Sequence, residues 1–159
     1  MTNNDILRRI RYCFDLSDSK MIDIFKLAGL DVSRSEVSDW LKSEEDPDFK
    51  NCNDKNLATF LNGFITHNRG PKEGEAPEVE TRINNNMIFN KLKIALNLKA
   101  EEILAILELV DFELSKHELS AFFRRPDHKH FRECHDQVLR NFLNGMQIKY
   151  RDDGTMATS

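Results

Sequence analysis

The chain has 159 residues, a net charge of −4 at pH 7 and a hydrophobic fraction of 40%. This length suits one ordinary domain or two small ones, and the net charge gives the whole molecule no attraction to nucleic acid or to an anionic membrane. Gly and Pro are scarce, with 6 and 4 residues, which favours helices over a turn-rich β fold. Three cysteines are too few for a disulfide framework, and the longest apolar stretch, residues 103–110, is too short to span a bilayer. We therefore expect a cytoplasmic protein without membrane association.

A repeat dominates the sequence. Shifting the chain against itself by 82 positions aligns residues 3–66 with residues 85–148 without a gap, with 17 identities over 64 positions. The identities fall on apolar and helix-capping positions, and they include the run 60–63 against 142–145, Phe-Leu-Asn-Gly in both. Such a register indicates a tandem duplication of one small unit.

Each unit is predicted to contain four short helices. The first carries apolar residues at i, i+4 and i+8, and the Asn pair before it supplies candidate N-caps. These pairs are Asn3–Asn4 and Asn85–Asn86. The second helix is apolar around most of its circumference, which predicts a central position. Gly29 can end it in the left-handed conformation, although Asp111 occupies the same place in the second unit.

The third helix has the clearest local signal. Ser33-x-x-Glu36 and Ser115-x-x-Glu118 are capping boxes, each followed by apolar residues at a spacing of three and four. A loop with a proline and a repeated phenylalanine separates it from the fourth helix. No segment shows sustained β alternation, so the predicted fold is all-α, with two tandem four-helix units.

The predicted domain boundaries follow the repeat. The first unit covers 1–68, a solvated linker covers 69–82, the second unit covers 83–152 and a disordered tail covers 153–159. The segment 67–82 contains two Gly, two Pro and four Glu, which is typical of a linker. Because a 64-residue unit buries only a marginal core by itself, we expect the two units to pack together about a pseudo-two-fold axis.

The doubled motifs Asn-Asn-x-Ile, Ser-x-x-Glu-x-Ser and Phe-Leu-Asn-Gly resemble those of the YehS-like family of uncharacterised bacterial proteins. Members of that family carry a tandemly repeated domain of unknown function. The resemblance covers residues 1 to about 150. It implies a bacterial cytoplasmic protein with no established activity, and it transfers no catalytic or ligand-binding residue.

Residues 27–40 are similar to the turn and second helix of a bacterial helix-turn-helix repressor. The spacing argues against that motif, because a turn at Gly29 would place Ser35 and Ser38 at its apolar positions. The exposed charges of the predicted helix also cancel, whereas a DNA reader needs an excess of cations. Two packed amphipathic helices are the preferred interpretation, with a DNA reader as the alternative.

Residues 124–135 are the most distinctive part of the second unit, with three histidines and a cysteine within eight residues. The spacing His-x-His-x3-Cys-His matches no standard zinc pattern, and the basic neighbours disfavour a cation, so no metal is predicted. In the first unit Asp46, Asp48 and Asn53 replace the histidines. The basic cluster is the candidate surface for an anionic partner, either RNA or an acidic protein segment. The candidate partner-binding residues are Lys116, Arg124, Arg125, His128, Lys129, His130 and Arg132.

Two features recur in both units. Cys52 and Cys134 are interpreted as small buried residues rather than a catalytic pair, because no histidine recurs beside them to activate a thiolate. The other feature is an Asn-Gly pair inside the fourth helix, where Gly costs about 1 kcal/mol relative to Ala. Close helix packing at Gly is the preferred explanation, and a functional surface of the asparagines is the alternative. These residues are Asn62, Gly63, Asn144 and Gly145.

Signatures of catalysis are missing from the sequence: there is no Gly-rich phosphate loop, paired-carboxylate site or nucleophile elbow. We therefore expect that the protein has no enzymatic activity and binds no cofactor. The predicted function is a non-catalytic binding or adaptor module whose partner is another protein. The alternative is a nucleic-acid-binding protein that uses the helix-turn-helix-like segment and the basic loop of the second unit.

Overall fold

The computed structural model describes residues 1–74 and 78–155, and within these ranges the chain is helical and contains no β-strand. The chain divides into two compact units, Met1–Ile83 and Asn84–Ser159. The first unit contains α1 (Asn3–Cys13), α2 (Asp18–Leu27), α3 (Arg34–Leu41) and α4 (Asp54–Arg69). The second contains α5 (Asn85–Ala95), α6 (Ala100–Glu108), α7 (Lys116–Phe122) and α8 (Asp136–Gln147), followed by a π-helix, Ile148–Thr155. The prediction of an all-α chain with two four-helix units is confirmed.

The linker and tail predicted from the sequence fall partly outside the described residues. Residues 75–77 of the predicted linker and residues 156–159 of the predicted tail are not among them. Helix α4 extends to Arg69, and Gly70 ends it with a φ of +85°. Most of the described linker residues after it are exposed.

The starts of the first helices correct one prediction. Thr2 is the N-cap of α1 and accepts a hydrogen bond from the Asp5 N–H, while Asn84 is the N-cap of α5 and accepts from the Met87 N–H. The prediction that Asn3–Asn4 and Asn85–Asn86 are the caps is therefore wrong. Instead, Asn3 and Asn85 are the first residues of α1 and α5. Asn4 and Asn86, the second residues of these helices, are buried. The capping boxes of Ser33 and Ser115 are confirmed.

Both units have an aromatic core, and one of its buried phenylalanines comes from a different helix in each unit. In the first unit Phe25 of α2 lies 5.1 Å from Phe60, between ring centroids, and its equivalent in the second unit is Leu107. In the second unit Phe89 of α5 lies 4.7 Å from Phe142. Its equivalent in the first unit is Leu7, so each unit has one Phe and one Leu at these two buried positions. The exchange keeps the core volume nearly constant, which packed interiors require.

The second and fourth helices of each unit approach closely at glycine. A Cβ placed on Gly63 would lie closer than 3.0 Å to the carbonyl oxygen of Ile24, and one on Gly145 would meet the carbonyl oxygen of Ile106 in the same way. Real Cβ atoms essentially never approach so near, so any larger residue would push the two helix backbones apart. The glycines thus permit the contact between α2 and α4 and between α6 and α8.

The ends of α2 and α6 have the same geometry despite different residues. Gly29 has a φ of +87° and Asp111 a φ of +56°. In each unit the N–H of the following residue forms a hydrogen bond with a carbonyl in the last turn of the helix. Leu30 donates to the carbonyl of Phe25, and Phe112 donates to that of Leu107. Asp can replace Gly here because its short polar side chain tolerates the left-handed region better than most.

A candidate anion-binding loop

A buried asparagine holds the loop that precedes the fourth helix. Asn4 is only 1% exposed, and its Nδ2 donates to the backbone carbonyls of Trp40 at 2.8 Å and Lys50 at 2.9 Å. Its Oδ1 accepts from the N–H of Cys52 at 3.1 Å. One side chain therefore satisfies three backbone groups at both ends of the loop, which would otherwise be costly to bury.

The second unit repeats this arrangement. Asn86 donates to the carbonyls of Phe122 at 3.0 Å and Arg132 at 2.8 Å, and it accepts from the N–H of Cys134 at 2.9 Å. We call Asn4 and Asn86 the anchor asparagines. This role was not predicted from the sequence. The available signal was that the second Asn of each pair recurs in both units, although a helix needs only one N-cap residue.

The neighbouring asparagine supports the start of the fourth helix. Nδ2 of Asn3 donates to the carbonyl of Cys52 and to the carboxylate of Asp54, at 3.0 and 2.8 Å. Asn85 makes the same two bonds to Cys134 and Asp136, at 3.0 and 2.7 Å. The hydrogen bond from Asn85 lowers the pKa of Asp136. Both residues of each Asn pair thus join the first helix to the segment before the fourth.

The two anchored loops follow the same backbone path. We call residues 42–50 the first loop and residues 124–132 the second loop. In the first, the Asp46, Phe49 and Lys50 N–H groups donate to the carbonyls of Ser43, Asp46 and Asp39. In the second, the equivalent bonds are His128 to Arg125, Phe131 to His128 and Arg132 to Ala121. All three backbone bonds are therefore conserved between the loops.

A side-chain acceptor tightens the middle of each loop. In the first loop Oδ1 of Asp46 accepts from the N–H of Asp48 at 2.9 Å. In the second loop Nδ1 of His128 accepts from the N–H of His130 at 3.0 Å. His128 therefore has the same local structural role as Asp46.

The loops carry opposite charge. The first loop has two lysines and four carboxylates, a net charge of −2. The second loop has four basic side chains and one carboxylate, a net charge of +3 with its histidines neutral. The same backbone thus presents an acidic surface in one unit and a basic surface in the other.

Ion pairs involve half of the six charged side chains of the first loop, namely Lys42, Glu44 and Asp48. Nζ of Lys42 lies 2.8 Å from the carboxylate of Asp39, and this hydrogen bond raises the pKa of Lys42. Arg8 of α1 donates to the carbonyl of Lys42 at 2.7 Å and pairs with Glu44 at 3.1 Å. In the second unit Asn90 stands in place of Arg8 and Pro126 in place of Glu44, so this tie is absent there.

The cations of the second loop have few partners. Arg125 lies 3.6 Å from Asp127, and both side chains are more than three-quarters exposed, so this pair contributes little. Within the described ranges, Arg124, Lys129 and Arg132 form no ion pair with a carboxylate, and all three are exposed. They are the cations best placed to meet an external anion.

The other predicted site residues are distributed around this loop. Lys116, at the start of α7, pairs with Glu101 at 2.6 Å, which lowers the pKa of that carboxyl. His128 and His130 lie side by side, with ring centroids 5.5 Å apart, and the ring of His117 lies 6.2 Å from that of His130. Lys116 is thus already neutralised, while the histidines border the free cations.

An open cavity of about 580 Å³ lies beside the second loop. Its lining includes Phe123, Arg124 and His128, together with the paired Arg125 and Asp127. Nζ of Lys93, on α5, lies 4.5 Å from the centroid of the Phe123 ring, so a further cation borders this aromatic wall. The cavity therefore combines positive charge with an apolar surface.

The two cysteines that recur in the repeat are not chemically activated. Cys52 and Cys134 are 4% and 2% exposed, and burial raises the pKa of each thiol to about 12. Almost no thiolate is present at neutral pH, and the thiolate is the nucleophilic form. Across residues 1–74 and 78–155, no three His, Cys, Asp or Glu side chains lie together in a way that could hold a metal ion.

The helix pairs α2–α3 and α6–α7 differ from a helix-turn-helix. Residues 28–33 separate the first pair and residues 109–115 the second, whereas the motif has a turn of about three or four residues. On α7 the exposed Lys116 is paired with Glu101, and Glu118 closes the cap of Ser115. The helix equivalent to a recognition helix therefore offers no surplus of cations.

Comparison with known proteins gives the family. The DUF1456 family, described as "Protein of unknown function", matches residues 3–70 and again residues 85–152. The chain belongs to this family. It is also 44% identical over 151 residues to the uncharacterized protein YehS of Escherichia coli (strain K12), an alignment that covers 94% of this chain and 96% of that protein. The resemblance seen in the doubled motifs is thereby confirmed, and no solved structure matches the chain significantly.

A membrane-spanning helix must be both long enough and apolar enough to cross a bilayer. No helix in the described part of the chain meets both requirements.

Proposed function

We propose that this protein is a non-catalytic, cytoplasmic binding module that holds an acidic segment of another protein on its second loop. The observation that carries the proposal is the set of exposed cations Arg124, Lys129 and Arg132, none of which forms an ion pair in the described ranges. Glu118, whose pKa is lowered by the Ser115 cap and further by Arg132, is the carboxylate within electrostatic reach of Arg132. The three cations lie on a loop whose backbone is fixed from beneath by Asn86.

The fixed backbone favours binding. A loop that is already ordered loses little conformational entropy when it meets a partner, so more of the interaction energy appears as affinity. Arginine is also enriched in protein interfaces, where its planar group pairs with carboxylates through two parallel hydrogen bonds. The first loop has the same backbone bonds but is acidic, and its Glu44 and Lys42 are paired with Arg8 and Asp39 outside the loop, so the binding role is proposed for the second loop alone.

The distribution of charge favours a protein partner over nucleic acid. Proteins that bind nucleic acid neutralise several phosphates along a groove or stripe. Here Arg124, Lys129 and Arg132 lie within nine residues of one loop, the net charge of the chain is −4, and Lys116 on α7 is paired with Glu101. The helix-turn-helix-like segment has the wrong turn length. A short acidic segment fits this compact basic surface better.

A non-catalytic role is supported by the chemistry of the described residues. The two cysteines that recur in the repeat are buried with a raised pKa, and no group of potential metal ligands is assembled in the described ranges.

Fluorescence anisotropy with a labelled ten-residue polyglutamate peptide tests the proposal. The triple variant R124Q/K129Q/R132Q should bind the peptide about tenfold more weakly than the unaltered protein at low salt, because three lost ion contacts of about 0.5 kcal/mol each sum to about 1.5 kcal/mol. The matched variant K42Q/K50Q removes two cations from the first loop and should leave the affinity unchanged.

Two outcomes would contradict the proposal. One is an equal loss of affinity in the first-loop and second-loop variants, which would show that only net charge matters. The other is tighter binding of a single-stranded RNA with the same number of charges, lost in the triple variant, which would assign the second loop to nucleic acid.

A further inference from the structure

Both ring nitrogens of His128 are approached by hydrogen-bond donors. The backbone N–H of His130 donates to Nδ1 at 3.0 Å. Nη1 of Arg124, which carries only donor hydrogens, lies 3.4 Å from Nε2. A neutral imidazole has one donor nitrogen and one acceptor nitrogen, so it cannot accept from both neighbours at once.

The backbone bond assigns the tautomer. Because Nδ1 accepts from the His130 N–H, the proton of neutral His128 resides on Nε2. The Nε2–H and the Arg124 guanidinium are then two donors lying 3.4 Å apart, and neither can accept from the other. Both are exposed, and both line the open cavity beside the second loop. An oxyanion is the kind of group that accepts from both donors together.

We propose that Arg124 and His128 form a clamp for a phosphate monoester in this cavity. The inference rests on the proposed function, since it specifies the anion that the second loop holds. A monoester carries a charge of about −1.5 to −2 at neutral pH and three acceptor oxygens on one phosphorus, whereas a carboxylate carries one charge and two oxygens. Two neighbouring donors in one cavity match this concentrated charge better than a single donor would, and the one carboxylate in the lining, Asp127, lies next to Arg125. Lys129 and Arg132 line a separate pocket of the same loop.

The turn requires only a hydrogen-bond acceptor at the position of His128, and the first loop meets this requirement without an imidazole. There Oδ1 of Asp46 alone accepts the equivalent N–H, so an acceptor at this position is sufficient for the backbone geometry. His128 supplies that acceptor through Nδ1 and adds a donor, Nε2–H, on its far side. Arg124 replaces a lysine, and a guanidinium binds phosphate oxygens with a fixed fork that lysine lacks. Both changes add donors suited to a tetrahedral oxyanion.

The substitution His128→Asn separates the two roles. An asparagine amide oxygen can accept the His130 N–H as Asp46 accepts that of Asp48, so the turn is retained while the Nε2–H donor is lost. Thermal unfolding of H128N should match that of the unaltered protein. The substitution Asp46→Asn in the first loop is the matched control, because it also leaves an amide acceptor but touches no proposed ligand.

The probe is the peptide Gly-Gly-phosphoserine-Gly-Gly, titrated against the full chain by NMR. We expect it to bind at least about tenfold more tightly than the same peptide with Glu in place of phosphoserine. H128N should lower the phosphopeptide affinity about tenfold and R124Q still further, while H128N and D46N leave the Glu peptide unaffected. Equal affinity of the two peptides, or an unchanged phosphopeptide affinity in H128N, would overturn the clamp.

Two further titrations identify the source of the phosphate. Inorganic phosphate and adenosine monophosphate carry the same group without a peptide; binding of either at the phosphopeptide's affinity, lost in H128N, supports the clamp and assigns it to a free ligand. Retention of polyglutamate binding in H128N, together with no preference for phosphoserine, would overturn the clamp and leave the proposed function standing. Failure of polyglutamate to bind the unaltered protein would instead count against the proposed function.

Discussion

The first and second loops share a backbone but not a surface. Their three backbone hydrogen bonds, their side-chain-stabilised turns and their anchor asparagines correspond position by position. Their net charges are −2 and +3. The residues beneath each loop therefore determine its conformation, whereas the exposed residues change the sign of the surface charge without altering that conformation.

The loops differ also in how their charges are paired. Arg8 contacts the first loop through an ion pair with Glu44 and a hydrogen bond to the Lys42 carbonyl. The equivalent residue in the second unit is the uncharged Asn90. Surface pairs of this kind add little stability. Within the described residues, the charges left without an ion pair differ in kind: the first loop keeps two carboxylates and one lysine, whereas the second keeps three cations, which makes the first a natural control for the second.

The largest expected effect comes from removing an anchor. Asn4→Ala and Asn86→Ala should each lower the free energy of unfolding by about 3–5 kcal/mol, because each leaves one buried N–H and two carbonyls without a partner. Urea unfolding measures this loss. Asn3→Ala, whose side chain is only partly buried, is the control and should cost clearly less. A loss below about 1 kcal/mol for N86A would mean that the second loop is held by other contacts.

The next effect concerns the helix contacts. Gly63→Ala and Gly145→Ala should destabilise by about 2–3 kcal/mol, although Ala is favoured over Gly in a helix by about 1 kcal/mol. The loss should be larger for Gly63, where the carbonyl of the facing helix lies nearer to the added Cβ. Thermal unfolding tests this, with Lys55→Ala on the exposed face of α4 as the control. A raised melting temperature in G63A would refute the packing explanation.

The smallest effect is a gain in stability. Ser17 caps α2 by accepting from the Lys20 N–H at 3.1 Å, whereas Lys99, its equivalent before α6, has no side-chain acceptor. Lys99→Ser should therefore raise the free energy of unfolding by about 0.5–1 kcal/mol, and Ser17→Lys should lower it by a similar amount. Denaturation of the two single variants and of the double exchange would show whether the caps are interchangeable between units.

Much of the fold could be predicted because its signals are local. Apolar spacing and the capping boxes of Ser33 and Ser115 are read within a few residues, and the gap-free repeat doubled each signal. The anchor asparagines were misread as caps for the same reason. A capping preference is local, but the partners of Asn4 lie 36 to 48 residues away, and no local rule identifies them.

The candidate site was predictable in composition but not in pairing. Charge alone drew attention to the second loop, yet Lys116 and Arg125 turned out to have acidic partners while Arg124 and Lys129 did not. Pairing depends on which carboxylate the fold brings within reach. The bond from His130 to His128, which fixes the imidazole and its tautomer, was likewise invisible until the backbone path was known.

The anchor asparagines also constrain how these loops can evolve. Each forms hydrogen bonds with three backbone groups, and the spacing of these groups along the chain is identical in the two units. The bonded residues are Trp40, Lys50 and Cys52 in the first unit and Phe122, Arg132 and Cys134 in the second. An insertion or deletion between these residues would detach at least one of them, while a substitution on the outer face would not. We therefore expect the length of each loop to be retained during evolution while its exposed side chains change. The same property makes the segment a suitable place to graft a designed nine-residue recognition sequence.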